Sequence, residues 1–347
     1  NTPYYYINYD VFFVPKEKAT HRSNFGGELF FYENKVKGVD LFSKKLKQKN
    51  IFPAQIYMQL HLMYWQQFLG ITDFRLDSIN NISCHFFLKK LYSKINKTTN
   101  LVIGEELSMP KELIQEKCVD GLWNESFKHI LREAILGKKS PYVDSFEEHI
   151  FQLIDCKRLG FKKSINAINY ITSHDVEGRN NERFLDFLLN HNIENYQQRI
   201  KLAFVCLLTA VGIPMIFAGE EFADAHVLDR MNYKTKQYDP IHFSRLDDIW
   251  RKDIYNYVKR LIHFRENTKA LQTDEVEFIH IDCDDTKKII AWQRDFNQEK
   301  VVVVANFSDY ITPNALSEKS EYLIPRFPVL EIGQSCYEIT QNREVGS

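Results

Sequence analysis

The sequence predicts a parallel (β/α)8 barrel of the TIM-barrel type, followed by a small all-β sandwich domain. Three observations carry that prediction. Three short apolar or alternating runs, Gly70–Asp77, Leu101–Glu105 and Tyr170–Asp175, each end in a carboxylate. Such a run reads as a buried strand that delivers an acid at its C-terminal tip. Between the runs the apolar residues recur at helical spacing, and after about residue 270 strand-like runs joined by polar turns replace them. A βα barrel keeps its chemistry at the C-terminal ends of its strands, so three acids presented in this way imply one site. The expected boundaries are 1–268 for the barrel and 269–347 for a C-terminal antiparallel β domain.

In chain order, residues 1–30 are aromatic and irregular and predict a loop with one short strand. Pro53 opens a helix over 54–68, with Ile56, Leu60, Met63 and Phe68 near one face. The strand ending at Asp77 follows. A second amphipathic helix, about 83–97, places Phe86, Phe87, Leu91 and Ile95 on its buried face. After the strand ending at Glu105 comes a short one with its tip at Trp123–Glu125. A helical region over about 126–160, broken near Gly137 and Pro141, leads to the strand ending at Asp175. Residues 197–211 form a helix, nearly apolar along its second half, that Gly212 and Pro214 terminate. Residues 214–221 read as a further buried strand with an acidic tip. A helix over 249–265 carries Ile254, Val258, Leu261 and Phe264 at helical spacing. Glu277–Asp282, Lys288–Arg294 and Val301–Phe307 then read as antiparallel strands.

The net charge of −1 over 347 residues gives no electrostatic case for nucleic acid or an anionic membrane. No apolar run reaches the length of a transmembrane helix, and no signal-peptide pattern is present. The six cysteines, Cys84, Cys118, Cys156, Cys206, Cys283 and Cys336, show neither CxxC nor zinc spacing. They read as reduced thiols, and the expectation is a cytoplasmic protein with no metal and no cofactor.

Arg75 lies two residues before Asp77, so both side chains point to the same face of one strand. A guanidinium there holds Asp77 ionised, as a carboxylate nucleophile requires. Glu105 follows an apolar strand and a glycine, surroundings that favour the protonated form needed by a general acid. Carboxyl groups about 5–5.5 Å apart give retention and about 6.5–9.5 Å inversion; adjacent strand tips predict the former. Asp175, preceded by His174, supplies a third acid and a donor for hydroxyl groups. Trp123 reads either as packing or as a platform for a sugar ring. A lone Asp at a strand end is ordinarily a helix cap or a surface ion-pair partner. Three such acids, two with basic neighbours, argue jointly against that account.

Phe74-Arg75-Leu76-Asp77, Gly104-Glu105 and His174-Asp175 resemble the second, third and fourth signature regions of the α-amylase family (glycoside hydrolase family 13). They occur in the family's order, on what would be its barrel strands four, five and seven. The run from Gly212 to Glu221 is similar to the family's strand-eight segment, and the region from about 270 to its C-terminal sandwich. The Gly121–Phe127 segment and the Gly219–Phe222 run look closer to intracellular trehalohydrolases and branching-type enzymes than to secreted amylases. Ser173 stands where the family has Asn. No first signature region is found, which predicts barrel strands one to three upstream of Asn1.

The resemblance implies a retaining glycosidase or transglycosylase acting on α-glucans, with Asp77 as nucleophile, Glu105 as acid/base and Asp175 as transition-state stabiliser. Arg75 and His174 would flank the substrate; Trp123, apart from the resemblance, is a further candidate binding residue. The alternative of a different class is a non-catalytic amylase-like protein that binds glycan or a partner. A phosphate-handling barrel enzyme would want a Gly-rich phosphate loop near the last strands, where Gly219-Glu220-Glu221 presents acids instead.

Overall fold

A computed structural model describes residues 53–79, 85–95, 100–175, 183–225, 240–284, 286–309, 322–329 and 335–345. The loop and strand expected within 1–30 lie outside the described residues. The chain divides into two compact units, 1–123 and 124–347.

In the first unit, helix α1 (Pro53–Leu69) starts at a proline, whose missing N–H costs nothing in a first turn. It leads into strand β1 (Phe74–Leu76). Helix α2 (His85–Lys94) precedes β2 (Val102–Gly104), and β3 (Gly121–Trp123) comes last. The strands are parallel, with Arg75 opposite Ile103 and Ile103 opposite Gly121. As expected, Phe87, Leu91 and Ile95 are buried while Lys89 and Lys90 face solvent. Gly104 sits where no side chain fits: a Cβ there would lie 2.5 Å from Ile79 Cδ1 and 3.1 Å from Leu122 Cδ2. Two carboxylates anchor the beginning of β2. Asp73 Oδ1 accepts the Leu101 N–H at 2.5 Å, and Asp120 accepts the Val102 N–H at 2.9 Å and the Tyr92 hydroxyl at 2.5 Å. These two acids are structural, because their oxygens satisfy backbone donors where the strand begins.

Helix α1 has the expected period but the opposite burial. Leu60 and Phe68 are 59% and 75% exposed, Ile56 and Met63 are also exposed, and Leu62 is the buried residue. Tyr64 stacks on Phe68 with ring centroids 5.2 Å apart. A contiguous apolar stripe of this kind takes up hydrophobic probes. The 347-residue chain by itself is therefore expected to enhance ANS fluorescence, and the double substitution Leu60→Glu, Phe68→Glu to remove most of that signal. An undiminished signal in the double variant would place the dye elsewhere.

The second unit opens with helix α3 (Glu125–Ile135), whose N-cap Asn124 accepts the Phe127 N–H. Helix α4 (Phe146–Ile154) is capped by Ser145. The expected break falls between them, with Gly137 in the left-handed region at φ +69°. Strand β4 (Ala167–Tyr170) is buried throughout. It ends earlier than expected, and His174 and Asp175 begin a helical turn beyond it. Helix α5 (Phe184–Asn190), too short to register as a periodic pattern, precedes helix α6 (Tyr196–Thr209). Strand β5 (Ile213–Met215) runs parallel to β4, and the acidic Glu220–Phe222 segment is a 3-10 turn past its end, not part of it. A chain of buried amides joins these pieces. Asn124 Nδ2 donates to Asn169 Oδ1 at 2.8 Å, and Asn169 Nδ2 donates to the Val211 carbonyl at 3.2 Å. Gly212, at φ +143°, leaves room for that second amide, which a Cβ would overlap.

Helix α7 (Ile249–Asn267) buries Ile254, Val258 and Leu261. Strands β6 (Glu277–Cys283), β7 (Lys288–Phe296) and β8 (Glu299–Asn306) form an antiparallel sheet, close to the expected spans. A further hairpin pairs β9 (Cys336–Glu338) with β10 (Arg343–Val345). Ile290, Trp292 and Phe307 of this β region share one buried cluster with Phe204, Leu208, Ile254 and Val258 of the helices. Each such fully buried side chain contributes roughly 1.5–3 kcal/mol.

His149 is completely buried in α4, and its partners define its tautomer. Nε2 faces the Ile130 carbonyl at 3.0 Å, so it carries the proton, and Nδ1 accepts the Ser140 N–H at 3.3 Å. Glu133 Oε2 is 3.7 Å away. Burial, assisted by Lys139 and opposed by the Ile130 bond, pushes the imidazole down to about 4. Between pH 6.5 and 4 the unfolded chain therefore binds more protons than the folded one, so stability is full above pH 6.5 and falls on acidification. The whole window corresponds to a loss on the order of 3 kcal/mol. Urea unfolding at pH 7 and pH 4 is expected to show it, and His149→Gln, which keeps a donor and an acceptor, to flatten it. An equal pH dependence in the variant would assign the acid sensitivity to other groups.

Candidate active site

The tips of β1 and β2 converge on one guanidinium. Arg75 Nη1 pairs with Asp77 Oδ1, and Arg75 Nη2 pairs with Glu105 Oε2 at 2.7 Å. The shared face foreseen for Arg75 and Asp77 is thus real, and Glu105 joins it. The backbone supports the arrangement: the Glu105 N–H donates to the Leu76 carbonyl at 3.0 Å, and the Ile79 N–H to the Glu105 carbonyl at 3.1 Å. Ser78 adopts φ +48°, a region that non-glycine residues seldom occupy. That turn directs its N–H onto Glu105 Oε2 at 2.9 Å. Sequence periodicity carries no mark of such a turn, and Ser78 was not foreseen as part of the site.

The two carboxylates differ in environment. The Asp77 side chain is 73% exposed and that of Glu105 only 10%. Past the apolar strand and glycine that precede it, the Glu105 carboxylate meets the Arg75 guanidinium and the Ser78 backbone N–H. Trp123 is buried, and the Arg75 guanidinium lies 4.9 Å above its ring centroid. One indole face is therefore taken by a cation of the protein itself.

His174 and Asp175 belong to the second unit. Both side chains are exposed, and His174 Nε2 is 3.6 Å from Asp175 Oδ1. Ser173 and Thr172 before them are buried. The structure thus brings Arg75, Asp77, Glu105 and Trp123 together, and places His174 and Asp175 beside one another past β4.

A further polar cluster lies at the end of β4. Glu125 Oε2 accepts the hydroxyl of Tyr170, the last residue of that strand, while Oε1 meets Lys128 and, at 3.0 Å, His129 Nε2. Burial alone would raise this carboxyl, but the bonds from His129, Lys128 and Tyr170 outweigh it and bring it down to about 2. The signal for it was Glu125-x-x-Lys128-His129 at a helix start, where residues three and four apart face each other. Among the described residues, no three His, Cys, Asp or Glu side chains are grouped to hold a metal ion. No described helix is long and apolar enough to cross a membrane.

No protein-family profile matches the chain. A cyclomaltodextrinase of Thermoanaerobacter pseudethanolicus is 27% identical over 275 residues, which cover 76% of this chain and 42% of that protein. A malto-oligosyltrehalose trehalohydrolase of Saccharolobus solfataricus is 26% identical over 191 residues, 46% of this chain and 33% of that protein. Among solved structures, an Anoxybacillus α-amylase superposes with a TM-score of 0.63 at 17% identity, covering 92% of this chain and 66% of that one. The type III pullulan hydrolase of Thermococcus kodakarensis gives 0.60 at 21% identity, covering 88% and 49%. The chain is similar in sequence and in fold to enzymes of the α-amylase family. Its fold is that of the α-amylase-family (β/α)8 barrel with a C-terminal antiparallel β region. It spans about two fifths of the length of the cyclomaltodextrinases it matches. The similarity to a trehalohydrolase matches one of the expected leanings within the α-amylase family, while the cyclomaltodextrinase match is the longer.

Proposed function

We propose that this chain carries the reacting groups of a retaining glycoside hydrolase or transglycosylase that acts on α-glucans. The observation that carries the reading is Arg75 bridging Asp77 and Glu105 at neighbouring strand tips. Two carboxylates that share one guanidinium can flank a single glycosidic bond, and their adjacent strand tips support the closer, retaining spacing. The names of the relatives, cyclomaltodextrinase and pullulan hydrolase, support an α-glucan as the substrate. We put the boundary between barrel and β domain at 268/269; the end of α7 at Asn267 and the start of β6 at Glu277 support it. The buried thiols of Cys118, Cys156 and Cys206 support a reducing, cytoplasmic location.

In this reading exposed Asp77 attacks the anomeric carbon while Glu105 donates a proton to the departing glycosidic oxygen. A glycosyl–Asp77 ester and a shortened glucan result. Glu105, now a carboxylate, removes a proton from water or from a sugar hydroxyl, which attacks the same carbon and releases Asp77 with the configuration retained. Arg75 holds the Asp77 carboxylate in place and withdraws from Glu105 as the proton is taken up. By the resemblance to the α-amylase family, Asp175 takes the role of transition-state stabiliser and His174 that of a substrate-binding residue.

Mass spectrometry after reaction with a fluorinated glycosyl fluoride tests this directly. A glycosyl adduct on the peptide containing Asp77, absent in Asp77→Asn, is the expected result. Turnover without an adduct at Asp77 would overturn the assignment. Glycan binding without adduct or turnover would favour the binding-protein alternative, for which Ser173 in the Asn position is the supporting observation.

A further inference from the structure

Of the two readings the sequence left open for Trp123, packing or a sugar platform, burial favours the first: it is only 5% exposed and a guanidinium already occupies one face. Its place in the sheet explains why. The pairing sets Gly104 beside both Leu76 and Leu122, so the next residues along, Asp77, Glu105 and Trp123, form a row across three strand tips. Arg75 stands two residues back in β1, and its side chain reaches along this row to meet all three.

The Arg75 side chain is partly exposed, and its pair with the much more exposed Asp77 would by itself do little to hold it. A long, rotamer-rich side chain in that position needs a second constraint to keep its two Nη atoms pointed at two different carboxylates. The indole supplies one, because a planar cation lying over an aromatic face is held both in distance and in tilt. We propose that Trp123 is a positioning residue: its indole face fixes the plane of the Arg75 guanidinium, and through it the relative placement of Asp77 and Glu105. The inference rests on the glycosidase reading for its kinetic consequence, but its geometric content stands apart from turnover.

The test compares Trp123→Phe and Trp123→Leu in the intact protein. Both fill the buried site with less volume, so both are expected to lower the melting temperature to a similar extent. Only Phe retains a π face. In nitrogen-edited NMR spectra the Arg75 Nε–H resonance, assigned by its disappearance in Arg75→Lys, is expected to carry a ring-current shift that Trp123→Phe keeps in part and Trp123→Leu abolishes. With malto-oligosaccharides, Trp123→Leu is expected to lower kcat about tenfold with KM within about twofold, and Trp123→Phe to recover most of the loss. A raised KM with unchanged kcat in both variants would overturn the proposal in favour of a sugar platform. Equal kcat losses in the two variants would overturn it in favour of simple packing. If the wild type shows the resonance shift and its loss in Trp123→Leu but no turnover, the glycosidase reading falls and the positioning geometry stands. Normal turnover with an unshifted Arg75 resonance is the reverse case.

Discussion

Asp77→Asn in the intact protein is expected to reduce turnover of α-glucans by about four orders of magnitude while leaving glucan binding nearly unchanged. The amide keeps the shape of the carboxylate and loses the attacking charge, and the loss of a covalent nucleophile falls on the chemical step. Asp77 is well exposed, so the substitution leaves the core untouched and the melting temperature should move little. Glu105→Gln is expected to behave differently. It should depress the rate on natural glucans severely and on aryl glycosides with good leaving groups much less, since those need little protonation. Azide should restore turnover to Glu105→Ala by attacking the glycosyl ester, giving a glycosyl azide of retained configuration. Isothermal titration with an oligosaccharide, beside initial rates on both substrate types, checks the contrast. If the two variants respond alike to leaving group and to azide, the separate roles given to Asp77 and Glu105 are wrong.

These two acids were singled out in the sequence because each ends a short strand-like run, alternating before Asp77 and apolar before Glu105, and the pattern gained weight only from its repetition along the chain. Arg75 was legible for the same reason, through the two-residue period of a strand. Ser78 was hidden because its contribution is a backbone N–H aimed by a left-handed turn, to which its side-chain type gives no clue. Glu105 was misjudged in its surroundings: the apolar residues before it say what its strand packs on, not what its carboxylate touches.

The fold divides along similar lines. The helix over 196–209 and the three long antiparallel strands were readable because their patterns run over many residues and Gly212 or polar turns bound them. α5 and the β9–β10 hairpin were missed because they are seven and three residues long, too short for a period to register. In α1 the spacing of Ile56, Leu60, Met63 and Phe68 correctly marks an apolar face, but periodicity cannot say what covers it, and in this chain those residues face solvent. Arg294 is the sharpest failure of local reading: it looks like the polar end of a strand, and it is 0% exposed.

Arg294→Met is expected to destabilise the second unit by on the order of 5 kcal/mol. The guanidinium is bonded entirely to backbone carbonyls: Nε to Glu275 at 2.7 Å, Nη1 to Thr209 at 2.7 Å, and Nη2 to Thr273 at 2.6 Å and Leu271 at 3.4 Å. Thr209 is the last residue of α6, so the charge also sits at the negative end of that helix. Arg265 of α7 supports the same end, donating to Leu208 at 2.6 Å and Gly212 at 2.7 Å. Burial pushes both guanidinium groups down to about 10, so both keep their charge at neutral pH. Methionine can fill the volume but would strand several buried acceptors, each costing about 1–3 kcal/mol. Arg294→Lys should lose nearly as much, because one ammonium cannot reach carbonyls arranged around a planar fork. Arg158→Met is the control: Arg158 pairs with Glu148 at 3.0 Å on the surface, and its removal should cost no more than about 1 kcal/mol. Urea unfolding of the three variants at pH 7 decides the matter. A loss below about 1 kcal/mol for Arg294→Met would mean that water or neighbouring donors can replace the guanidinium, and that α6 does not depend on the β7 strand for its C-terminal end.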